Sequence, residues 1–547
     1  MKKMMSLLLA LCMMLGLLAG CASKDDSAGP VAVNNINVAM GYQITTLDNA
    51  INTETGNDWI LEHLYSGMFR KDENGVAQKE LCDDFTISAD GLVYTFTLKD
   101  GIVWSDGTPI TAYDFEYSML RALSYGVDNA YSINEIVSYL KGAKEYNLKA
   151  VDAGASFDCT KEDHSEVGYK ALDEKTLEVT LNNPCAFLPE LMTSRAWVPV
   201  VQSTPQHDSL WSFKAGYPTS GAYTLTEINE TEKAVLTKNE KYWNKDSITM
   251  ETITYWCMTD PDAQALAFDS KEIDVALGIT ANAADKFVGT DNLWTVQDGN
   301  VYFIAINSAS TGPESLKDVN VRRALALAID KQALSEVLGA AYYPMVNGYI
   351  PHGAGGVSGD FRDEGDADGY TLNYDLEKAK QLLADAGYNE SNPLKLSYKY
   401  SNNSMHGDVA TMLESFWTKL GVEIELISVE QGVYYDQIDQ GDFELCRYAD
   451  NIGSNAIRLL KFWSTENQVV AAISDPVYDK MCAEALQVAD AAGFAQAMHG
   501  LEDYLIEENV YLIPLFEYIN PYLIADGVEG ETLCGFHPFF GNCTVTK

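Results

Sequence analysis

Positive charge is what this 547-residue chain has least of: 37 Lys and Arg stand against 79 Asp and Glu, a net charge of −42. Nucleic acids and anionic headgroups are gripped through basic patches, so this balance argues against both as partners of the protein surface. Histidine is scarce as well, with seven scattered residues, none in an HExxH helix. No CxxC completes a zinc spacing either, so neither a metal nor a cofactor is expected. The chain also lacks a P-loop, a dinucleotide-binding GxGxxG and a GxSxG nucleophile elbow; "GGVSGD" sets Ser358 directly against Gly359 and misses the elbow's spacing. The expectation is a protein that is not an enzyme. Long apolar runs are missing after the first twenty residues, so no later segment offers the 18 consecutive apolar residues of a membrane span.

What the chain does have begins with an address. "MKKMMSLLLALCMMLGLLAGC" places Lys2 and Lys3 before an apolar run, then small residues ahead of Cys21. A basic start, a short apolar core and small residues before the cleavage point form a secretory signal. The cysteine directly after them resembles a bacterial lipobox, in which Cys21 becomes the lipidated first residue. Residues 1–20 are thus expected as a lipoprotein signal peptide and 21–34, which include "ASKDDSAGP", as a flexible tether. The body should lie outside the cytoplasm, held at the cell membrane.

The chain past the signal is too long for one simple core and predicts two or three lobes. Aromatic residues make up 11%, with 31 Tyr and 9 Trp, rings suited to a cleft both apolar and hydrogen-bonding. Eight cysteines lie beyond Cys12 and Cys21, and an exported chain can oxidise them. Cys534 and Cys543, bracketing "GFHPFFGN", could close a terminal loop; isolated buried thiols are the alternative. "EGDADGYTLNYD", residues 364–375, has part of a calcium-loop pattern, but Glu364 stands at the first position, Leu372 offers only backbone, and Asp375 is shorter than the usual bidentate Glu. The expectation is an acidic surface loop in which Asp375 caps the following helix.

Strands and helices alternate. "INVAMGYQI" reads as an early strand, and Val93, Thr95 and Thr97 alternate with Tyr94, Phe96 and Leu98 in a half-buried one. "TLEVTLNN" repeats the pattern, and "GAYTLTEINETEKAVLTKN" reads as a hairpin turning near Asn229 and Glu230. Val409, Met412, Leu413, Phe416, Trp417 and Leu420 share a helical face, Gly421 can take the left-handed terminal conformation, and "VEIELI" follows as a strand. "RRALALAIDKQALSEVLG" and "DLEKAKQLLADAGY" read as amphipathic helices. This mixture implies open α/β lobes.

Seven segments, in order, resemble one known family. The most specific is "YTFTLKDGIVWSDGTPITAYDFEYSMLRAL", residues 94–123: a strand, a tight turn at Asp106, Gly107, Thr108 and Pro109, and a helix. "ALDEKTLEVTLNNP", "GAYTLTEINETEKAVLTKNEKYWNK", "FDSKEIDVA", "VRRALALAIDKQAL", "NYDLEKAKQLLADAGY" and "FWTKLGVEIEL" follow. The chain is similar to the extracytoplasmic solute-binding proteins of oligopeptide and dipeptide ABC importers, bacterial solute-binding protein family 5. The resemblance implies an α/β, two-lobed periplasmic-binding-protein fold with a hinge and an additional third domain. One lobe would comprise 35–65, 200–299 and 515–547, the additional domain 66–199, and the other lobe 300–514. The chain would cross between lobes near "NVYFIAINS" and "YLIPLFEYIN". Trp104 and Trp243 would be packing residues. The implied partners are a peptide ligand, the importer's permease subunits and the membrane through the lipid; the receptor would be a monomer. Alternatives are the same fold binding a metal chelate or oligosaccharide, or a surface adhesion or signalling receptor.

The resemblance also implies a site. Within "ELCRYADNIGSNAIRLLKFW", Ala449-Asp450 matches the segment whose carboxylate receives a peptide's amino terminus, with Tyr448 and Asn451 flanking it. A carboxylate in a desolvated cleft needs a positive partner, and a peptide ammonium can supply one. The alternatives are an ion pair with Arg447 or Arg458, or a helix cap. Replacing Cys21 by Ser should abolish lipid labelling and release the protein from membranes; label retained in the variant would place the lipid elsewhere.

Overall fold

The computed structural model describes residues 32–72, 76–125, 136–357, 359–368, 370–451, 456–465, 470–530, 532–534 and 537–547. The expected signal and Cys21 lie outside these residues. Among them, no helix is long and apolar enough to cross a membrane. Ala32 and Val33, at the end of the expected tether, pair with Thr546 and Val545 instead of hanging free.

A ten-stranded sheet runs through the molecule. Its strands are β1 (Asn35–Met40), β2 (Tyr223–Asn229), β3 (Lys233–Lys238), β4 (Thr252–Cys257), β5 (Val275–Ala276), β6 (Leu293–Ile306), β7 (Lys395–Ser401), β8 (Glu423–Val429), β9 (Leu445–Asn451) and β10 (Leu512–Ile524). Their spatial order is β8-β7-β9-β6-β10-β5-β1-β4-β3-β2. The two central strands are the longest, and they pair antiparallel with each other on both sides of an irregularity. Leu293 to Gln297 pair with Leu523 to Ile519, then Val301 resumes against Glu517. β6 therefore spends Asp298, Gly299 and Asn300 where β10 spends one residue, a bulge that bends the pair. Gly299 sits at φ +76°, a backbone state that side-chain-bearing residues rarely adopt. Asp298 Oδ1 accepts from the Asn300 backbone N–H and from its Nδ2, both at 2.9 Å. The two segments expected to cross between lobes are these strands.

Separate cores form on either side of the bulge. One gathers Ile36, Val38, Trp59, Tyr223 and Tyr255; another gathers Tyr302, Ile304, Leu413, Trp417 and Phe516. The helix Ser404–Leu420 buries Val409, Leu413, Phe416, Trp417 and Leu420, starts at an Asn403 cap and stops at Gly421 in the left-handed conformation. β8 follows it, as the periodicity predicts. The hairpin β2–β3 turns at residues 229–232.

A smaller antiparallel sheet orders Cys82–Ile87, Val93–Leu98, Thr176–Thr180 and Tyr169–Ala171. In the turn after it, Gly107 takes φ +98° and Asp106 Oδ1 accepts from the Thr108 N–H at 2.8 Å. The Ala112–Ala122 helix then carries Arg121 into a buried ion pair with Asp48, with Nη1 2.9 Å from Oδ1. On its other side the unit meets the half of the molecule that holds β9: Phe187 stacks on Phe494 at 4.8 Å, and Gln487 donates to Asn183 at 3.2 Å.

Three expectations change. "RRALALAIDKQALSEVLG" is two helices, Val319–Leu327 and Lys331–Leu338, because Asp330 caps the second and accepts from the Ala333 N–H. The acidic stretch from Glu364 to Asp368 is the end of a helix, Phe361–Asp368, so no calcium loop can form there; Asp375 does cap Leu376–Asp385. Trp104 is buried, but Trp243 is 40% exposed with Lys99 Nζ 4.9 Å above its ring, so it is not a core residue. Cys543 is buried with Sγ 2.8 Å from the Phe540 carbonyl, while the Cys534 side chain lies outside the described residues.

A strap from Asn347 to Gly353 is held by three acids, Glu502, Glu517 and Asp360. Buried Glu502 accepts from the Tyr349 and Ile350 N–H groups at 2.7 Å each, from Arg362 Nη1 at 2.8 Å and from the Tyr370 hydroxyl at 2.6 Å. Removing one member of a buried ion pair strands the other charge, which costs roughly 3–5 kcal/mol. Glu502→Ala should lower the denaturation free energy by about that much, and Glu502→Leu combined with Arg362→Met should regain only part of it, because the Tyr349 and Ile350 N–H groups stay without their acceptor; urea unfolding of the three proteins checks this.

Candidate ligand-binding cleft

Asp450 stands near the end of β9, opposite Val301, and Val301 stands opposite Glu517 on β10. Directly opposed residues share a face, so Asp450, Val301 and Glu517 form one row beside the bulge, on one face of the sheet. Tyr448, on that face, is buried beside Phe303 (5.7 Å) and Tyr435 (6.0 Å). Ala449 is half-buried opposite Tyr302, and Asn451 ends the strand opposite Asn300, its side chain outside the described residues.

The Asp450 carboxylate is partly exposed and meets Arg458, with Oδ1 3.2 Å from Nη1. The guanidinium in turn lies 4.9 Å over the Phe462 ring. One of the ion pairs weighed from the sequence is thus formed, but the other is not. Arg447, three residues back, points to the opposite face by strand alternation. There it is buried, with Nη2 bonded to Ser401 Oγ (3.2 Å) and the Tyr435 hydroxyl (3.0 Å). Its guanidinium lies within 6.0 Å of the Tyr302, Tyr434 and Tyr435 ring centres. Nε has no hydrogen-bond partner, and among the described residues no carboxylate lies within ion-pair distance. A buried cation among phenols is an arrangement that favours an incoming anion.

His406 belongs to the same wall. Its ring lies 5.6 Å from that of Tyr302, and its Nδ1 has no partner. Burial, helped by the Arg447 charge, lowers its pKa to about 4, so the imidazole is neutral at pH 7. No motif in the sequence marks His406, and only the fold sets the start of its helix beside Tyr302. Across the bulge, β1 and the parallel β5 end side by side, and the backbones touch so closely that a Cβ on Gly278 would lie 2.3 Å from Gly41 N. Tyr42 projects next, 38% exposed, its ring edge-on to Trp59 at 5.6 Å. Its phenol is pushed up by burial and by the charges of Glu54 and Asp298, which places it near the bulge. Strand ends meeting at a bend are where open α/β sheets bind ligands.

A family model for bacterial extracellular solute-binding proteins, family 5 (Middle), matches residues 77–464. This chain belongs to that family. Its members are receptors for solutes, not enzymes. The oligopeptide-binding protein OppA of Bacillus subtilis (strain 168) is 25% identical over 529 residues, covering 94% of this chain and 92% of its own. The probable deoxycholate-binding periplasmic protein YgiS of Escherichia coli (strain K12) is 28% identical over 481 residues, covering 85% of each. Among solved structures, the unliganded open form of the murein tripeptide-binding protein MppA superposes with a TM-score of 0.81 at 23% identity, over 95% of this chain and 99% of that one. Peptide-bound OppA of Listeria monocytogenes gives 0.66 at 21% identity, over 94% and 99%. The two-lobed family 5 fold with its hinge and third domain is therefore the fold of this chain.

Asp298, in the bulge between the lobes, has its pKa raised from 3.8 to about 6 by desolvation, opposed by its bonds to Asn300. A carboxyl raised by folding stabilises the native state while protonated, and that contribution is lost as pH rises through about 6. Asp298→Asn keeps an acceptor for the Asn300 donors without the charge. Its advantage over the parent should therefore grow between about pH 4 and pH 7, read as urea midpoints; parallel pH curves would refute the assignment.

Proposed function

We propose that this chain is a lipid-anchored extracytoplasmic receptor that captures oligopeptides or dipeptides between its lobes and delivers them to the permease subunits of an ABC importer. Four features support the reading: family membership, the near full-length likeness to OppA, the hinge of β6 and β10, and a cleft wall with one carboxylate and one buried uncompensated cation. The wall carries the argument. Asp450 receives the peptide's ammonium, while Arg447, buried on the opposite face of β9, takes an anionic group only of a ligand that reaches round the end of the strand. Tyr448 and Ala449 offer apolar surface and backbone beside them, and Asn451 extends the same edge. Closure about the bulge then brings Tyr42 and the other lobe onto the ligand, so contacts made to both lobes shift the population toward the closed form. The receptor acts as a monomer, and Cys21 carries the lipid.

Arg458 sets a condition on this mechanism. The ammonium must displace its guanidinium from Asp450 or share the carboxylate with it, and a partly exposed ion pair is weak enough to yield. The same pair supports a second reading, in which Asp450 stays neutralised by Arg458 and the cleft takes an anionic non-peptide solute on Arg447. Binding measured by calorimetry separates the two. Asp450→Asn should weaken peptide binding by roughly 2–5 kcal/mol. N-acetylation of the peptide should weaken binding to the parent and matter much less in the variant. Additive losses, or equal binding of free and acetylated peptides by both proteins, would favour the second reading.

A further inference from the structure

The far side of the hinge row carries a second cluster, outside the cleft wall. Glu517, which shares its row with Asp450, is almost fully buried and turns both carboxylate oxygens to the His352 ring: Oε1 lies 2.9 Å and Oε2 3.1 Å from Nδ1. Oε1 also accepts the His352 backbone N–H at 3.0 Å, which fixes the ring's base as well as its edge. A carboxylate on one imidazole nitrogen selects the tautomer that leaves the lone pair on the other. Here that other nitrogen, Nε2, points to the start of the Phe361–Asp368 helix, where Asp363 Oδ1 lies 3.5 Å away. Asp360 completes the group, and one ligand atom from each of His352, Asp360 and Asp363 lies within 4.8 Å of the others.

We propose that His352, Asp360 and Asp363 form a binding site for a divalent transition-metal ion of the zinc class, with Glu517 as the residue that positions the histidine. Donors bound to one tetrahedral zinc at 2.0–2.1 Å sit about 3.3 Å apart, close to the separation of the histidine and Asp363. The remaining gap closes by rotation of Asp363, which is 76% exposed and free of other ion pairs among the described residues. Asp360 is already oriented: its Oδ2 accepts from the Gly353 N–H at 2.6 Å and its Oδ1 from the Arg362 N–H at 2.8 Å. Oδ1 also accepts the Asp363 N–H at 3.3 Å, so of the carboxylate's about four acceptor positions one remains, on Oδ2, for a cation.

Charge points the same way. Three carboxylates, of Asp360, Asp363 and Glu517, face one imidazole, and the nearby Arg362 is committed to Glu502 and Asp366. Even a protonated histidine leaves that group net negative. One imidazole and two carboxylates suit zinc or manganese better than calcium, which takes oxygen alone, or copper(I), which prefers sulfur. Three protein ligands leave a coordination position for water, so bound metal should exchange. Occupancy would fasten the strap and the Phe361–Asp368 helix to β10 beside the bulge.

The test uses the mature protein, demetallated, without peptide, and Zn²⁺ alone as the probe, in competition with a chromophoric chelator. One equivalent per chain should bind, with His352→Ala and Asp363→Asn each weakening it at least tenfold. Glu517→Gln should weaken it about 10- to 100-fold, as for other residues that orient a metal-bound histidine. Glu377→Gln, on an exposed helix elsewhere, should change nothing. X-ray absorption of the zinc-loaded protein should show a nitrogen/oxygen shell with one imidazole, a signature that a misfolded variant cannot mimic. Several weak equivalents, unaffected by His352→Ala, would mean general attraction to an acidic surface and would overturn the proposal.

Discussion

The antiparallel pairing of β6 with β10 is the constraint from which the rest of the structure follows. Two long strands, paired on both sides of the bulge at 298–300 and through a second register shift between Tyr302 and Phe303, make a single sheet out of two lobes with separate cores. Backbone pairing is strong across the strands but yields where the ladder is interrupted, so bending concentrates at Asp298, Gly299 and Asn300. The row at the bulge has Asp450 at one end and Glu517 at the other, and both the cleft wall and the histidine cluster are referenced to it.

The acidity of the chain has two physical roles. Most carboxylates face water and keep a strongly charged surface solvated. A few are buried or half-buried and act as acceptors for backbone N–H groups: Glu502 on Tyr349 and Ile350, Glu517 on His352, Asp298 on Asn300. A buried carboxylate that accepts several such bonds fixes loop backbone without needing regular secondary structure. In a protein so short of cations, a buried arginine with no acid beside it stands out. Arg447 is held by phenols and a serine hydroxyl, which satisfy its donors only in part.

Local elements were readable from residue order because their causes are local. The alternation of Val93–Leu98, the Asn229 hairpin, the Asp-Gly-Thr-Pro turn and the helix face ending at Gly421 each depend on neighbours a few residues apart. Where the reading failed, a local signal was outvoted by another. Asp330 breaks a continuous amphipathic pattern by capping a second helix, and the acids after Phe361 prolong a helix whose Arg362 is pinned by Glu502 and Asp366.

The sequence by itself determined the alternating α/β elements, since spacing and composition carry these, while the two crossing segments and Asp450 as a candidate anchor were implied by the family resemblance. Tertiary structure alone decided which charges meet. Arg447 and Arg458 flank Asp450 in sequence, yet strand alternation sends one to the opposite face and the return of the chain brings the other within 3.2 Å. His352 and Glu517 are 165 positions apart, and only the pairing of β10 into the central sheet, with the strap laid across it, sets them in contact. Electrostatic partnership depends on distance in space and on burial, and a folded chain fixes both through contacts that sequence separation does not record.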